Sequence, residues 1–145
     1  MPKIRKFKLT LSPYYFERRI KSAGINLSAE PDVRQKLTGL TQVLRKIIHP
    51  ATVFVTLKRD EFSPLANLIS SYPNWKRWVA ASLYAVAVGD IDIVAQFEKE
   101  VIKTFPDNLP ADKIALQIFN EMIEQAANFV YRLITEDAKK EECTL

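Results

Sequence analysis

The chain has 145 residues, 48% hydrophobic and 26% charged, a balance typical of one folded globular domain. With only three glycines it offers no glycine-rich phosphate-binding loop, and its single cysteine, Cys143, excludes an internal disulfide framework. The net charge of +4 is unevenly divided: residues 1–89 carry 15 Lys and Arg against 5 Asp and Glu, whereas residues 90–145 carry 6 against 12. The composition therefore indicates a basic half and an acidic half.

The first third of the chain predicts one short strand and two helices. Residues 3–11 form a basic arm, and apolar and polar residues alternate over 6–11, as in a strand. Ser12-Pro13 favours the start of a helix that ends at Gly24. A second helix starts between Ser28 and Pro31 and ends at Pro50. Its apolar residues recur every three or four positions: Val33, Leu37, Leu40, Leu44, Ile47 and Ile48.

The middle of the chain predicts a second strand and two more helices. Residues 51–57 are largely β-branched and indicate a strand whose partner would be the arm at 6–11. Ser63-Pro64 starts a helix that stops before Pro73. Asn74 would cap the next helix, and because residues 78–88 are apolar except for Ser82, we expect that helix to be buried at the centre of the fold.

The last third predicts two amphipathic helices. The first starts at Asp90 and ends at Phe105-Pro106, and the second runs from about Pro110 to Asp137, followed by a frayed tail over 138–145. We therefore predict a mainly α fold in a single helical domain over 1–145. It would be a compact bundle of five or six helices, with at most two short strands near 6–11 and 51–57.

The chain holds few residues suited to catalysis or metal binding. Its only histidine, His49, stands at a predicted helix end, where a cation is favoured by the helix dipole. Cys143 lies in the predicted tail without a base to activate it. Asp90 and Asp92 are explained as helix-start residues, and Glu98 and Glu100 would lie on different helix faces. We expect no catalytic residue, no metal site and no cofactor.

Adjacent pairs of basic residues recur beside aromatic residues, a combination suited to a nucleic-acid backbone with stacked bases. Each pair alone is better explained as a solvated surface, whereas the charge of the basic half as a whole favours anion binding. The candidate phosphate contacts are Lys3, Arg5, Lys6, Lys8, Arg18, Arg19, Lys21, Arg45, Lys46, Lys58, Arg59, Lys76 and Arg77, and the stacking candidates are Tyr15 and Trp75.

Three segments, IRKFKLTLSPYYFERRIKS, YPNWKRWVAASLYAV and ADKIALQIFNEMIEQAANFVYRLITE, carry a whole-chain resemblance in size, helicity and charge. In these respects the chain resembles the small subunits of CRISPR effector complexes of the Cascade type. The resemblance implies a helical bundle without nuclease activity, present in several copies and supporting the guide–target duplex or the displaced strand. In such complexes base pairing reads the sequence and the protein contacts the backbone.

Two hypotheses of function follow. The first is a non-catalytic, sequence-independent nucleic-acid-binding small subunit of a larger ribonucleoprotein assembly, a CRISPR interference complex, with DNA or RNA and other protein subunits as partners. Its acidic half would be free to meet a basic partner, such as a further copy stacked head to tail. The alternative is a protein-binding regulator or inhibitor of viral or plasmid origin. Because no secretion signal and no membrane span are predicted, we expect a cytoplasmic location without membrane contact.

Overall fold

A computed structural model describes residues 3–142 of the chain, and its side chains from residue 6 onward. Strands and helices follow in the order β1 (Lys3–Lys6), α1 (Pro13–Ser22), α2 (Val33–Ile47), β2 (Ala51–Lys58), α3 (Arg59–Phe62), α4 (Ala66–Ile69), β3 (Ala80–Ala87), α5 (Ile93–Thr104) and α6 (Ala111–Lys140). Short 3₁₀ turns occupy Ser63–Leu65 and Trp75–Arg77. The protein is mainly helical, as the sequence predicts.

The four longer helices share one hydrophobic core. Helix α1 packs against α2 and α6, and α5 packs against α2 and α6. Residues at helical spacing supply the core, among them Phe16, Leu37 and Ile118, which are fully buried. Phe97 of α5 meets Phe119 of α6 edge to face, with ring centroids 5.6 Å apart. This core fixes α1 against α6, the arrangement on which the candidate site depends.

The helix starts and ends agree with local signals in most cases. Helix α1 begins at Pro13, and Gly24 just beyond it has a φ of +83°, which is accessible to glycine at little cost. Helix α2 begins at Val33, slightly later than the predicted start, and α5 begins at Ile93. Helix α6 extends to Lys140, so the predicted fraying of 138–145 is wrong for its first three residues. Cys143 lies outside the described residues.

The strands form an antiparallel sheet in the order β1-β2-β3. Ala51 of β2 lies opposite both Lys6 of β1 and Ala87 of β3, and Lys58 lies opposite Ala80. Thr52 and Phe54, at alternate positions of β2, are buried, and α6 packs against both β2 and β3. One sheet face therefore covers part of α6, and the opposite face remains partly exposed.

The prediction is wrong for the segment 74–88, which forms the turn Trp75–Arg77 and the strand β3 instead of a buried central helix. An apolar run of this length fits a strand as well as a buried helix, and in the structure it is not buried, since Leu83 and Tyr84 are exposed. Eight-residue pairing with β2 satisfies the backbone of β3 on one side and decides in favour of the strand. Within residues 3–142 the sheet therefore has three strands, one more than predicted. The helix predicted after Ser63-Pro64 is reduced to a 3₁₀ turn followed by the single turn α4.

The strand at 51–57 pairs with the basic arm, but through residues 3–6 and not through 6–11, so the predicted position of the first strand is wrong. Strand β1 spans Lys3–Lys6, and residues 7–12 continue without strand structure. The alternation over 6–11 instead turns Leu9 and Leu11 toward the helical core.

Candidate nucleic-acid interface

A groove lies between residues 7–10, helix α1 and the second half of α6. Its volume is about 560 Å³. Four cations line it: Lys8, Arg18, Arg19 and Arg132. The acidic lining residues are Glu121 and Glu124 of α6.

Contacts with α6 hold residues 7–10 in place as one wall of the groove. The side-chain amide of Gln125 accepts a hydrogen bond from the Thr10 N–H and donates one to the Thr10 carbonyl, both at 3.0 Å. Phe7 stacks on Phe129 with centroids 4.4 Å apart. A glutamine amide thus replaces the strand partner that this extended segment lacks.

Arg19 is bound within the protein and is poorly placed to contact a phosphate. Its Nε donates to Glu121 Oε2 at 2.8 Å, and its Nη2 donates to Glu124. The hydrogen bond to Glu121 is the main reason that the pKa of Arg19 lies above its ordinary value. A phosphate would have to displace two carboxylates to reach this guanidinium.

Arg18, the neighbour of Arg19, is exposed and has a different environment. Its guanidinium carbon lies 5.8 Å from the ring centroid of Tyr14 and 5.4 Å from that of Tyr15, within the range of cation–π contacts. Among the described side chains, Arg18, Lys8 and Arg132 form no ion pair. The groove therefore presents three cations that no described carboxylate pairs with, beside the partly exposed ring of Tyr15.

Lys21 lies on the same helix but is paired with Glu17, at 3.1 Å from Nζ to Oε1. Arg34 of α2 approaches the other oxygen of Glu17 at 3.3 Å. The hydrogen bond from Lys21, assisted by Arg34, holds the pKa of Glu17 below its usual 4.5 in spite of partial burial. These contacts tie α1 to α2 and leave Lys21 less available to an external anion.

A second group of cations lies at the other end of the sheet, and we call it the Arg59–Lys76 cluster: Lys58, Arg59, Lys76 and Arg77. The Arg59 guanidinium donates to the Lys76 carbonyl, which joins the start of α3 to the turn before β3. Lys76 Nζ stands 6.0 Å from the half-buried ring of Trp75. Strand β2 is about 23 Å long at 3.3 Å per residue, and this cluster starts at Lys58, the end of β2 opposite to Ala51, which pairs with Lys6.

The structure therefore does not bring the predicted phosphate contacts together in one surface. Arg45 and Lys46 are exposed in the last turn of α2, where cations also stabilise the helix dipole. Lys6 is exposed at the end of β1, and the side chains of Lys3 and Arg5 lie outside the described region. Of the predicted phosphate contacts, only Lys8, Arg18 and Arg19 line the groove, together with the predicted stacking residue Tyr15.

Among the groove residues that sequence reasoning missed are Asn128 and Arg132 of α6. They are four residues apart and so share one helix face. Arg132 is the only arginine after residue 89, an isolated cation in the acidic half of the chain. A single arginine within an acidic segment could have indicated this position, but the net negative charge of residues 90–145 concealed it.

No family model, curated protein or solved structure matches this chain. Within residues 3–142, no helix is long and apolar enough to cross a membrane. The same part of the chain holds no group of three or more His, Cys, Asp or Glu side chains able to bind a metal ion. The case for a function therefore rests on the residues of the groove.

Proposed function

We propose that the protein binds a single-stranded nucleic-acid backbone without catalysis and independently of sequence, and that the groove is the contact surface. The observation that carries this proposal is the set of three cations, Lys8, Arg18 and Arg132, that have no ion-pair partner among the described side chains and lie on the walls of one groove. Phosphate neutralisation by such cations dominates sequence-independent binding.

The arrangement of the groove walls supports a single strand as the ligand. Lys8 stands on the extended segment, Arg18 on α1 and Arg132 on α6, so that a strand in the groove would meet cations from three elements. Tyr15 offers a ring face for stacking, which every base can use and which requires unstacked bases. Glu121 and Glu124 are held by Arg19, which reduces their repulsion of phosphate.

We further propose that this binding serves a larger cytoplasmic ribonucleoprotein assembly of the CRISPR type. The whole-chain resemblance supports this placement, and so does the uneven charge, since the excess of acidic residues over 90–145 suits contacts with basic surfaces of other subunits. Other protein subunits and nucleic acid are then the partners.

Salt-dependent binding of a labelled single-stranded oligonucleotide, followed by fluorescence anisotropy, tests the proposal. Three phosphate contacts predict an affinity loss of about 20-fold between 50 and 200 mM salt. Lys8→Gln and Arg132→Gln should each reduce the slope of log K against log salt by about 0.7. Lys113→Gln, an exposed lysine of α6 outside the groove, is the matched control and should leave the slope unchanged.

Two results would contradict the proposal. One is binding that does not respond to salt. The other is an equal effect of Lys8→Gln and Lys113→Gln, since binding would then reflect only the net charge of the surface.

A further inference from the structure

We propose that the stacked rings of Phe7 and Phe129 form a base-binding platform in the groove, to which an unstacked nucleobase adds a third aromatic plane. This inference rests on the proposed function and identifies where the groove binds a base in addition to the phosphates. Its basis is the geometry of the ring pair, the position of a cation near each ring, and the size of the groove.

The Phe7–Phe129 pair has the geometry of a stacking platform. Its ring centroids are 4.4 Å apart and its planes are inclined by only 17°. Both side chains are half-buried, and both line the groove. The pair Phe97–Phe119 differs, since its rings are buried and meet edge to face at 73°, as in a packed core. A near-parallel pair at the groove can instead be extended by a further plane, as bases stack on aromatic side chains.

Each aromatic ring that lines the groove has a cation near it. The couples are Phe7 with Lys8, Phe129 with Arg132, and Tyr15 with Arg18. The members of the first couple are adjacent in the chain, and those of the second are three residues apart and therefore neighbours on the surface of α6. In the third couple the guanidinium carbon lies 5.4 Å from the ring centroid.

This combination of aromatic planes and positive charges matches a nucleotide chain, which carries a base and a phosphate at every unit. An acidic peptide would use the cations but would leave the ring pair without a planar partner. The groove volume of about 560 Å³ lies within the range of pockets that enclose a whole small-molecule ligand, so a base has room beside its phosphate. The ligand class is therefore a base-bearing single strand.

Two strands of equal charge separate base binding from phosphate binding. An oligothymidylate and an abasic strand of the same length carry the same phosphates, and fluorescence anisotropy measures the affinity of each. Stacking on an aromatic side chain raises the affinity by about 5- to 100-fold per base. The wild-type chain should therefore bind the oligothymidylate at least about fivefold more tightly. Both strands should give the same salt slope, because the phosphate contacts do not change.

Substitutions at Phe129 assign the base contribution to the platform. Phe129→Leu keeps an apolar side chain but removes the aromatic plane, so it should remove most of the preference for bases and leave the salt slope unchanged. Phe129→Tyr retains the plane and should retain the preference. Tyr131→Leu, which removes a 61% exposed ring of α6 outside the groove lining, is the matched control and should also retain it. Amide exchange at Thr10 as slow as in the wild type shows that the groove wall is intact.

A photochemical cross-link locates the base without any substitution. The wild-type chain is irradiated with a strand that carries 5-iodouracil, which loses iodide and bonds to an aromatic ring stacked on it. Mass spectrometry of the resulting peptides should place the cross-link at Phe7 or Phe129. If Phe129→Leu loses the slow exchange at Thr10, this measurement decides.

Three results would overturn the inference: equal affinity for the abasic strand and the oligothymidylate, a full preference for bases in a Phe129→Leu variant with an intact wall, or cross-links only at residues other than Phe7 and Phe129. Each of these results leaves salt-dependent backbone binding, and with it the proposed function, in place. Loss of salt-dependent binding for both strands would instead contradict the proposed function and this inference together.

Discussion

Arg18 and Arg19 are adjacent in sequence, yet their replacement should have opposite consequences. We expect Arg19→Gln to destabilise the fold, because it removes the partner of two α6 carboxylates. We expect Arg18→Gln to leave the fold intact and weaken nucleic-acid binding, because its exposed guanidinium lies over two tyrosine rings and forms no ion pair with a described side chain.

The magnitudes follow from burial and geometry. Glu121 is only 13% exposed and receives the 2.8 Å hydrogen bond of Arg19, whereas Glu124 is largely exposed and contributes little. A charge-assisted hydrogen bond contributes about 1.5–3 kcal/mol when buried, and the 27% exposure of Arg19 reduces this to about 1–2 kcal/mol. For a domain of this size we expect Tm to fall by roughly 3–8 °C.

Thermal unfolding followed by circular dichroism, together with the anisotropy titration, separates the two roles. Arg18→Gln should keep Tm within about 2 °C of the wild type, as surface substitutions do. It should also lower the salt slope by about 0.7. An Arg19→Gln variant as stable as the wild type would refute the structural role of Arg19. A salt slope unchanged by Arg18→Gln would refute the binding role of Arg18.

Two further substitutions probe α1 and the wall of the groove. The pKa of Glu17 is lower in the folded chain than 4.5, so its ion pairs stabilise the fold above about pH 4.5 and this increment is lost as pH falls through the lowered value. In urea titrations, Glu17→Gln should therefore be less stable than the wild type at pH 7, and the difference should shrink in acid; a constant difference would contradict this. Gln125→Leu removes both hydrogen bonds to Thr10, and we expect a loss of about 1–2 kcal/mol with faster amide exchange at Thr10. Gln117→Leu, on the same helix but without such bonds among the described residues, should leave that exchange rate unchanged.

The four longer helices could be predicted from the sequence because their signals are local. The apolar residues of α2 and α6 recur every three to four positions, and Pro13, Gly24 and Pro50 limit the helices through their own backbone preferences. Strand β3 gave no such signal. Its sequence is apolar on both sides, and pairing with β2, some 30 residues earlier, determines its conformation.

The candidate site was predictable only as a set of residue types. The sequence identified Lys8, Arg18 and Tyr15 as members of a basic, aromatic segment, and these residues do line the groove. It could not distinguish Arg18 from Arg19, because the carboxylates that occupy Arg19 lie more than 100 positions away. It also could not place Arg132 beside them.

Residues 3–21 show most clearly which properties follow from the sequence alone and which depend on the tertiary structure. By itself the sequence determined its charge, seven Lys and Arg against one Glu, and the start of α1 at Pro13. The tertiary structure decided that Phe16 and Ile20 of the same segment are fully buried. Charge and helix starts depend on residue type and near neighbours. Burial and ion pairing depend on which distant elements the fold brings into contact, and here α2 and α6 decide both.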